Sequence, residues 1–243
     1  NANIVFHFIS TTVPGDQVDE ASELAVNVGQ TLTLLKLSIK EKVKKVVFIS
    51  SASVYGVKSN QPISELALTN PISSHGITKL TIEKYFELYN YHYGLDCKIL
   101  RLSNPYGPGQ NIYGRQGFVA IAIGKILSGE SIEICGDGNA IRDYIYIDDV
   151  TNVLNLLINT DSKENIFNIG SGIGYSLNDV ILKLSFYLGK KINVMYAERR
   201  FFDIPSSILD VSKSINFLGH KNNHSFDEGL LLTLKHYKIK TTI

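Results

Sequence analysis

Apolar residues recur along this chain with two different periods. Short runs in which nearly every position is apolar, Asn3-Ile4-Val5-Phe6-His7-Phe8-Ile9 and Lys45-Val46-Val47-Phe48-Ile49-Ser50-Ser51, have the length and β-branched content of buried strands. Between them Leu24, Val28, Leu32, Leu35 and Ile39 fall at helical spacing and mark one face of a long helix. A turn-rich stretch over 58–74, with Pro62 and Pro71, leads into a second predicted helix at about 77–93 and a strand at 97–102. Strand, helix, strand, helix, strand is the order of a parallel sheet wrapped by helices, and right-handed crossovers make these strands neighbours.

Beyond Asn104-Pro105-Tyr106-Gly107-Pro108-Gly109 the texture changes to a Gly-rich loop, a helix near 118–127 and short strands at 132–134 and 143–147. Ser176-Leu177-Asn178-Asp179 and Ser225-Phe226-Asp227-Glu228 read as capping boxes, in which the serine accepts from a free backbone N–H and the acid returns the bond. The division this predicts is a sheet domain over 1–110 and a smaller C-terminal α/β lobe over 111–243, interleaved with the last sheet elements. No internal repeat or low-complexity segment interrupts it.

Composition narrows the partners. The 24 basic and 23 acidic residues leave a formal charge of +1, which gives no electrostatic footprint for nucleic acid. Cys97 and Cys135 lie inside apolar runs without disulfide or metal spacing, so a reducing, cytoplasmic location and no metal are expected. No apolar run reaches the roughly 18 to 20 residues a bilayer span needs, so no membrane partner is expected. The chain opens directly on a strand-like run without methionine, and an upstream segment is expected to be missing.

Three segments carry candidate chemistry. Ser50-Ser51-Ala52-Ser53-Val54-Tyr55-Gly56 ends a strand; Asn70-Pro71-Ile72-Ser73-Ser74-His75-Gly76-Ile77-Thr78-Lys79 opens a helix; and Arg101-Leu102-Ser103-Asn104-Pro105-Tyr106-Gly107-Pro108 precedes Gly136-Asp137-Gly138 and Arg142-Asp143-Tyr144-Ile145. In order and spacing they resemble the extended short-chain dehydrogenases, and within them the UDP-glucose 4-epimerase group, over essentially the whole chain. The resemblance implies a truncated Rossmann-like parallel sheet with a substrate lobe, NAD as cofactor, and a nucleotide sugar as substrate. It also implies a homodimer paired through helices including 77–93, where Tyr85, Phe86, Tyr89 and Tyr93 read equally as dimer contacts or core. Polysaccharide or lipopolysaccharide assembly is the expected destination of the product.

By that resemblance Ser51, His75 and Lys79 form the catalytic set, with His75 in the family's tyrosine position. Removing hydride from a sugar carbon needs a base for the hydroxyl proton, and a phenol of pKa about 10 serves near neutrality only beside an ammonium. Lysine four residues along one helix face supplies that charge. Imidazole has an ordinary pKa near 6.5 and could accept a proton, but it is shorter than tyrosine. Three readings of His75 stay open: a crippled site, a working base, or a misplaced match. Lys79 also reads as a solvated helix lysine, and Ser51 as a strand-end cap.

Phe8, Ser10, Asn27 and Lys79 take the cofactor positions. The family's Gly-x-x-Gly-x-x-Gly phosphate turn is absent, about 70 residues are expected upstream, and NAD is expected to bind weakly or not at all. Gly170-Ser171-Gly172-Ile173-Gly174 looks similar but reads as a lobe turn. Ser53, Asn104, Arg142, Arg200, Asp203 and Ser207 take the substrate positions, guanidinium suiting a diphosphate and carboxylate a ribose hydroxyl. Arg142 also reads as an ion-pair partner of Asp143, and Arg200 as half of a solvated pair with Arg199. Ala52 and Ser53 stand where dehydratases carry acids, which favours epimerisation, and Ser207 is a small wall residue that admits a 2-acetamido sugar.

Overall fold

The computed structural model describes residues 2–10, 19–200 and 203–242. Its main sheet holds four parallel strands in the order β1 (Ile4–His7), β2 (Lys45–Ser51), β3 (Asp96–Leu102) and β7 (Ile166–Ile169). Side chains alternate across a strand, and the sheet uses both faces. Val46 and Phe48 join Ile99 against α1 (Glu20–Lys40) and α2 (Ser74–Tyr93), while Val47 and Leu100 face α4 (Ile147–Ile158) and Leu218 of α6 (Ser212–Leu218). The resulting layers are helix, sheet, helix.

The C-terminal lobe is built on a second set of strands. β6 (Ile141–Tyr146) pairs in parallel with β4 (Asn104–Tyr106) and β10 (Ser206–Ser207), and antiparallel with β8 (Gly174–Ser176). β5 (Ile132–Cys135) pairs with β9 (Val194–Ala197). α3 (Phe118–Ser128), α5 (Leu177–Leu188) and α7 (Phe226–His236) close around one core that includes Ile123, Leu184 and Leu230. Both capping boxes form, Ser176 with Asp179 and Ser225 with Glu228.

Two departures from the sequence reading have physical causes. The first strand stops at His7, whose register partner is Phe48, and Phe8 and Ile9 run out beyond the sheet into solvent. α4 escaped although Val150, Val153 and Leu157 fall at helical spacing, because it begins at Ile147 directly after a strand and Tyr146 gives it no side-chain cap. Its far end is held instead by buried Lys45, whose Nζ donates to the carbonyls of Leu157 and Thr160 at 2.6 and 2.8 Å. The aromatic stripe of α2 divides: Phe86 and Tyr89 enter the core, and exposed Tyr93 meets Tyr89 in a tilted ring contact at 5.1 Å.

Candidate active site

Parallel strands put their carboxyl ends on one edge, where ligands of such sheets bind. Here register aligns that edge: Ser51 lies opposite Leu102, and Leu102 opposite Ile169. Ser51, the Ser103-Asn104 pair and the Gly170-Ser171 turn are therefore neighbours although far apart in sequence.

Ser51 caps a 3-10 turn, Ala52–Tyr55, accepting from the N–H of Ser53 at 3.2 Å. The start of α2 lies directly on this turn. A Cβ at Gly76 would sit 2.8 Å from both the Ser53 carbonyl and the Pro71 Cβ, so only glycine permits the approach. His75, beside it, is buried at 8% exposure. Lys79 follows one helical turn later on the same face. Its Nζ donates to the Ile49 carbonyl at 2.9 Å and lies 4.8 Å from the centre of the Phe48 ring. Burial lowers its pKa to about 8, with Glu83 opposing the shift. The lysine is thus not a solvated helix lysine. Among the described residues, Ser53 Oγ and Thr78 Oγ1 are buried hydroxyls without a hydrogen-bond partner. A buried hydroxyl left unsatisfied is costly, and a polar ligand would relieve it.

Beneath this cluster is a buried ion pair that the sequence reading did not single out. Arg101 grips fully buried Glu83 through Nε at 3.1 and 3.2 Å and through Nη2 at 2.7 Å. Ser50 Oγ donates to the same carboxylate at 2.5 Å, and Arg101 Nη1 donates to the Tyr55 hydroxyl at 3.0 Å. Tyr55 donates in turn to Asn168 at 2.7 Å, and burial pushes its phenol up to about 12. Glu83 stands four residues after Lys79 on the helix face, which was the available signal.

The expected cofactor positions lie next to this cluster along the sheet. Asn27 is buried on α1, its Nδ2 donating to the Glu23 carbonyl at 3.0 Å and its own carbonyl accepting from Thr31 Oγ1 at 2.7 Å. Ser74 Oγ donates to Glu23 Oε2, tying α1 to the start of α2. Phe8 and Ser10 follow the end of β1 and are exposed, Phe8 stacking on Phe6 at 5.9 Å. A buried ammonium, Ser51 at a strand end and the unsatisfied hydroxyl of Ser53 in the turn after it fit the nicotinamide ribose of a dinucleotide. The glycine-rich run at 170–174 does not fit its diphosphate: the N–H groups of Ser171 and Gly172 already donate to Asp143, at 2.7 and 3.1 Å.

On the lobe side, Arg142 and Ser207 are register partners on β6 and β10. Arg142 is not paired with Asp143. Its Nη1 donates to the carbonyls of Ile141 and Ile204 at 2.9 and 2.7 Å. Burial lowers its pKa; Tyr144 and Asp203 oppose that shift, and Arg200 and Arg199 add to it. Arg200 and Asp203 form a two-pronged pair, Nε to Oδ2 at 3.1 Å and Nη2 to Oδ1 at 2.9 Å. Arg199 Nη2 donates to the Asp203 backbone carbonyl at 3.1 Å. Asn104 Nδ2 is committed to the Asp143 carbonyl at 3.0 Å.

Asp143 organises this side. It is fully buried, and its carboxylate accepts from Ser171 Oγ at 2.8 Å and from the N–H of Leu209 at 3.2 Å besides the two amides of the turn. Burial raises its pKa while these bonds pull it back. Gly170 leaves the necessary room, since a Cβ there would lie 2.4 Å from Asp143 Oδ2. No group of three or more His, Cys, Asp or Glu able to hold a metal occurs among the described residues.

A family model described as NAD dependent epimerase/dehydratase family matches residues 1–170. A UDP-glucose 4-epimerase of Mycolicibacterium smegmatis is 30% identical over 98% of this chain and 77% of its own length. A dTDP-4-dehydro-6-deoxyglucose reductase of Escherichia coli is 31% identical over 99% of the chain and 76% of its own. The crystal structure of a UDP-glucose 4-epimerase from Thermotoga maritima, solved with UDP-glucose, superposes with a TM-score of 0.93 at 36% identity. That superposition covers 97% of this chain and 77% of the other.

Proposed function

Because the chain belongs to the NAD dependent epimerase/dehydratase family, we propose that it is a nucleotide-sugar 4-epimerase acting on UDP-hexoses, with turnover limited by His75. The observation that carries this reading is the burial of His75 and Lys79 against the turn that holds Ser51 and the unpartnered hydroxyl of Ser53. Bound NAD would supply the hydride acceptor and donor. Ser51 holds the reacting sugar hydroxyl, the imidazole of His75 takes its proton and later returns it, and the Lys79 ammonium binds the ribose hydroxyls. Ala52 and Ser53 provide no acid for eliminating water.

Arg142 and Arg200 bind the diphosphate, Asp203 and Asn104 the nucleoside and sugar hydroxyls, and Ser207 lines the sugar. Ser207 leaves space for a 2-acetamido group, so UDP-N-acetylhexosamines belong to the substrate class. The product feeds polysaccharide or lipopolysaccharide assembly in the cytoplasm. Leu37 of α1 and Leu88 and Tyr91 of α2 are exposed, as a homodimer formed through these helices requires; light scattering of the purified chain tests the dimer.

A second reading, nucleotide-sugar binding without turnover, is favoured by one observation: an imidazole, His75, stands where the resemblance places the catalytic phenol. The deciding experiment supplies NAD and follows interconversion of UDP-glucose with UDP-galactose, and of their 2-acetamido counterparts, by the chain and by His75→Tyr. The epimerase reading expects turnover that rises with tyrosine and acceptance of both sugar pairs. Binding of UDP with no turnover in either form establishes the second reading.

A further inference from the structure

The outer face of the C-terminal lobe combines features that the pocket does not use. Residues 229–243 contain no acid but carry Lys235, His236, Lys238 and Lys240; residues 180–191 contain none either and carry Lys183, Lys190 and Lys191. The two stretches lie side by side. Thr242 donates through its N–H to the Tyr187 carbonyl at 2.9 Å and through Oγ1 to that of Phe186 at 3.3 Å. At the other end Lys183 bridges α5 to Asp227 of α7 at 2.8 Å.

Five lysines of this face, Lys190, Lys191, Lys235, Lys238 and Lys240, are exposed and form no ion pair among the described residues. Large apolar side chains stand out on the same two helices. Leu182 and Phe186, one turn apart on α5, are 67% and 65% exposed, and Leu232 of α7 is 41% exposed. A shallow cavity of about 610 Å³ lined by Leu231, Leu232, Lys235, Lys238, Ile239 and Lys240 runs along α7.

We infer that this face docks on an anionic bilayer surface. Net charge does not explain the patch, since the chain as a whole carries only +1. Ammonium groups on long stems set around projecting apolar side chains are the composition of a surface that lies in the headgroup region, its lysines reaching the phosphates while its apolar groups enter the acyl boundary. The patch contains no arginine, the residue suited to gripping carboxylates two-pronged on an acidic protein. A second copy of the chain would bring like charges together. No helix among the described residues is long and apolar enough to cross a membrane, so the chain would lie on the bilayer. This attachment is independent of the reaction performed in the pocket.

Sedimentation with vesicles tests it. The chain is mixed with vesicles of phosphatidylcholine alone or with a third of phosphatidylglycerol, at low and at physiological salt. Binding is expected only to the anionic vesicles and is weakened by salt. The triple variant Lys235→Gln/Lys238→Gln/Lys240→Gln should bind about a hundredfold more weakly, at about fivefold for each lysine near the surface. Leu182→Ser/Phe186→Ser should reduce binding with the charges intact. These positions are exposed, and an unchanged melting temperature confirms that the variants fold. No binding, equal binding to neutral vesicles, or indifference to both variants overturns the inference. Equally tight binding to soluble polyglutamate overturns it in favour of an acidic protein partner.

Discussion

At Gly76 the pocket is shaped by contact, and at Asp143 by attraction. On the first side a helix presses onto a turn so closely that a single methyl group will not fit, and a neutralised ion pair fills the space behind. On the second side a buried carboxylate draws together backbone amides from 171, 172 and 209. Packing tolerates almost no displacement, whereas hydrogen bonds to one acceptor can lengthen together. The side proposed to move protons is therefore the rigid one, and the side proposed to meet nucleotide sugars is the adaptable one.

The largest effect should come from breaking the rigid side. Glu83→Ala leaves the Arg101 guanidinium buried without its carboxylate and is expected to cost about 3–5 kcal/mol in urea denaturation. Glu83→Leu with Arg101→Met should recover most of that loss; if it does not, the pair contributes more than mutual neutralisation. Asp143→Asn comes next, at about 2–3 kcal/mol, because the amide turns a donor toward backbone donors. Calorimetry with UDP should show at least about tenfold weaker binding, since that is about 1.4 kcal/mol of the same loss. Unchanged UDP affinity would show that the carboxylate does not shape the lobe side. Gly76→Ala should cost about 1–3 kcal/mol through overpacking, and UDP affinity should hardly change, which separates the two sides directly.

The last test is a titration, which changes the protein by a single proton. With its folded pKa lowered from 10.5 to about 8, Lys79 binds fewer protons in the folded than in the unfolded chain between those values. Its burial therefore weakens the fold fully below about pH 8, and the penalty is relieved as pH rises through 8 toward 10.5. Denaturation midpoints from pH 7 to pH 10 should show this rise, and Lys79→Met should flatten it. An identical slope in the variant would mean that Lys79 keeps an ordinary pKa.

Strong periodicity made the fold legible where packing is simple. Leu35 on α1 and Val46, Phe48 and Ile99 in the sheet occupy the core their spacing implies. Short elements escaped because their signals are tertiary: β7 has four residues, and β10 exists through its pairing with Arg142. In the pocket, Ser51, His75 and Lys79 stood out by their resemblance to a known pattern. Asp143 did not, because its partners, three backbone amides and the Ser171 hydroxyl, lie far along the chain and form no local motif with it. Sequence proximity even pointed the wrong way, offering it as the counter-ion of Arg142, whose guanidinium turns instead to the carbonyls of Ile141 and Ile204.

The carboxylate of Asp143 also ties distant segments together in time. The amides of Ser171, Gly172 and Leu209 share one acceptor, so an opening that frees one of them strains the others. In hydrogen exchange these three positions, the last separated from the others by a helix and three strands in the chain, should lose protection as a single cooperative unit. If Asp143→Asn raises exchange at all three by one common factor the coupling holds, and three unrelated changes would dismiss it.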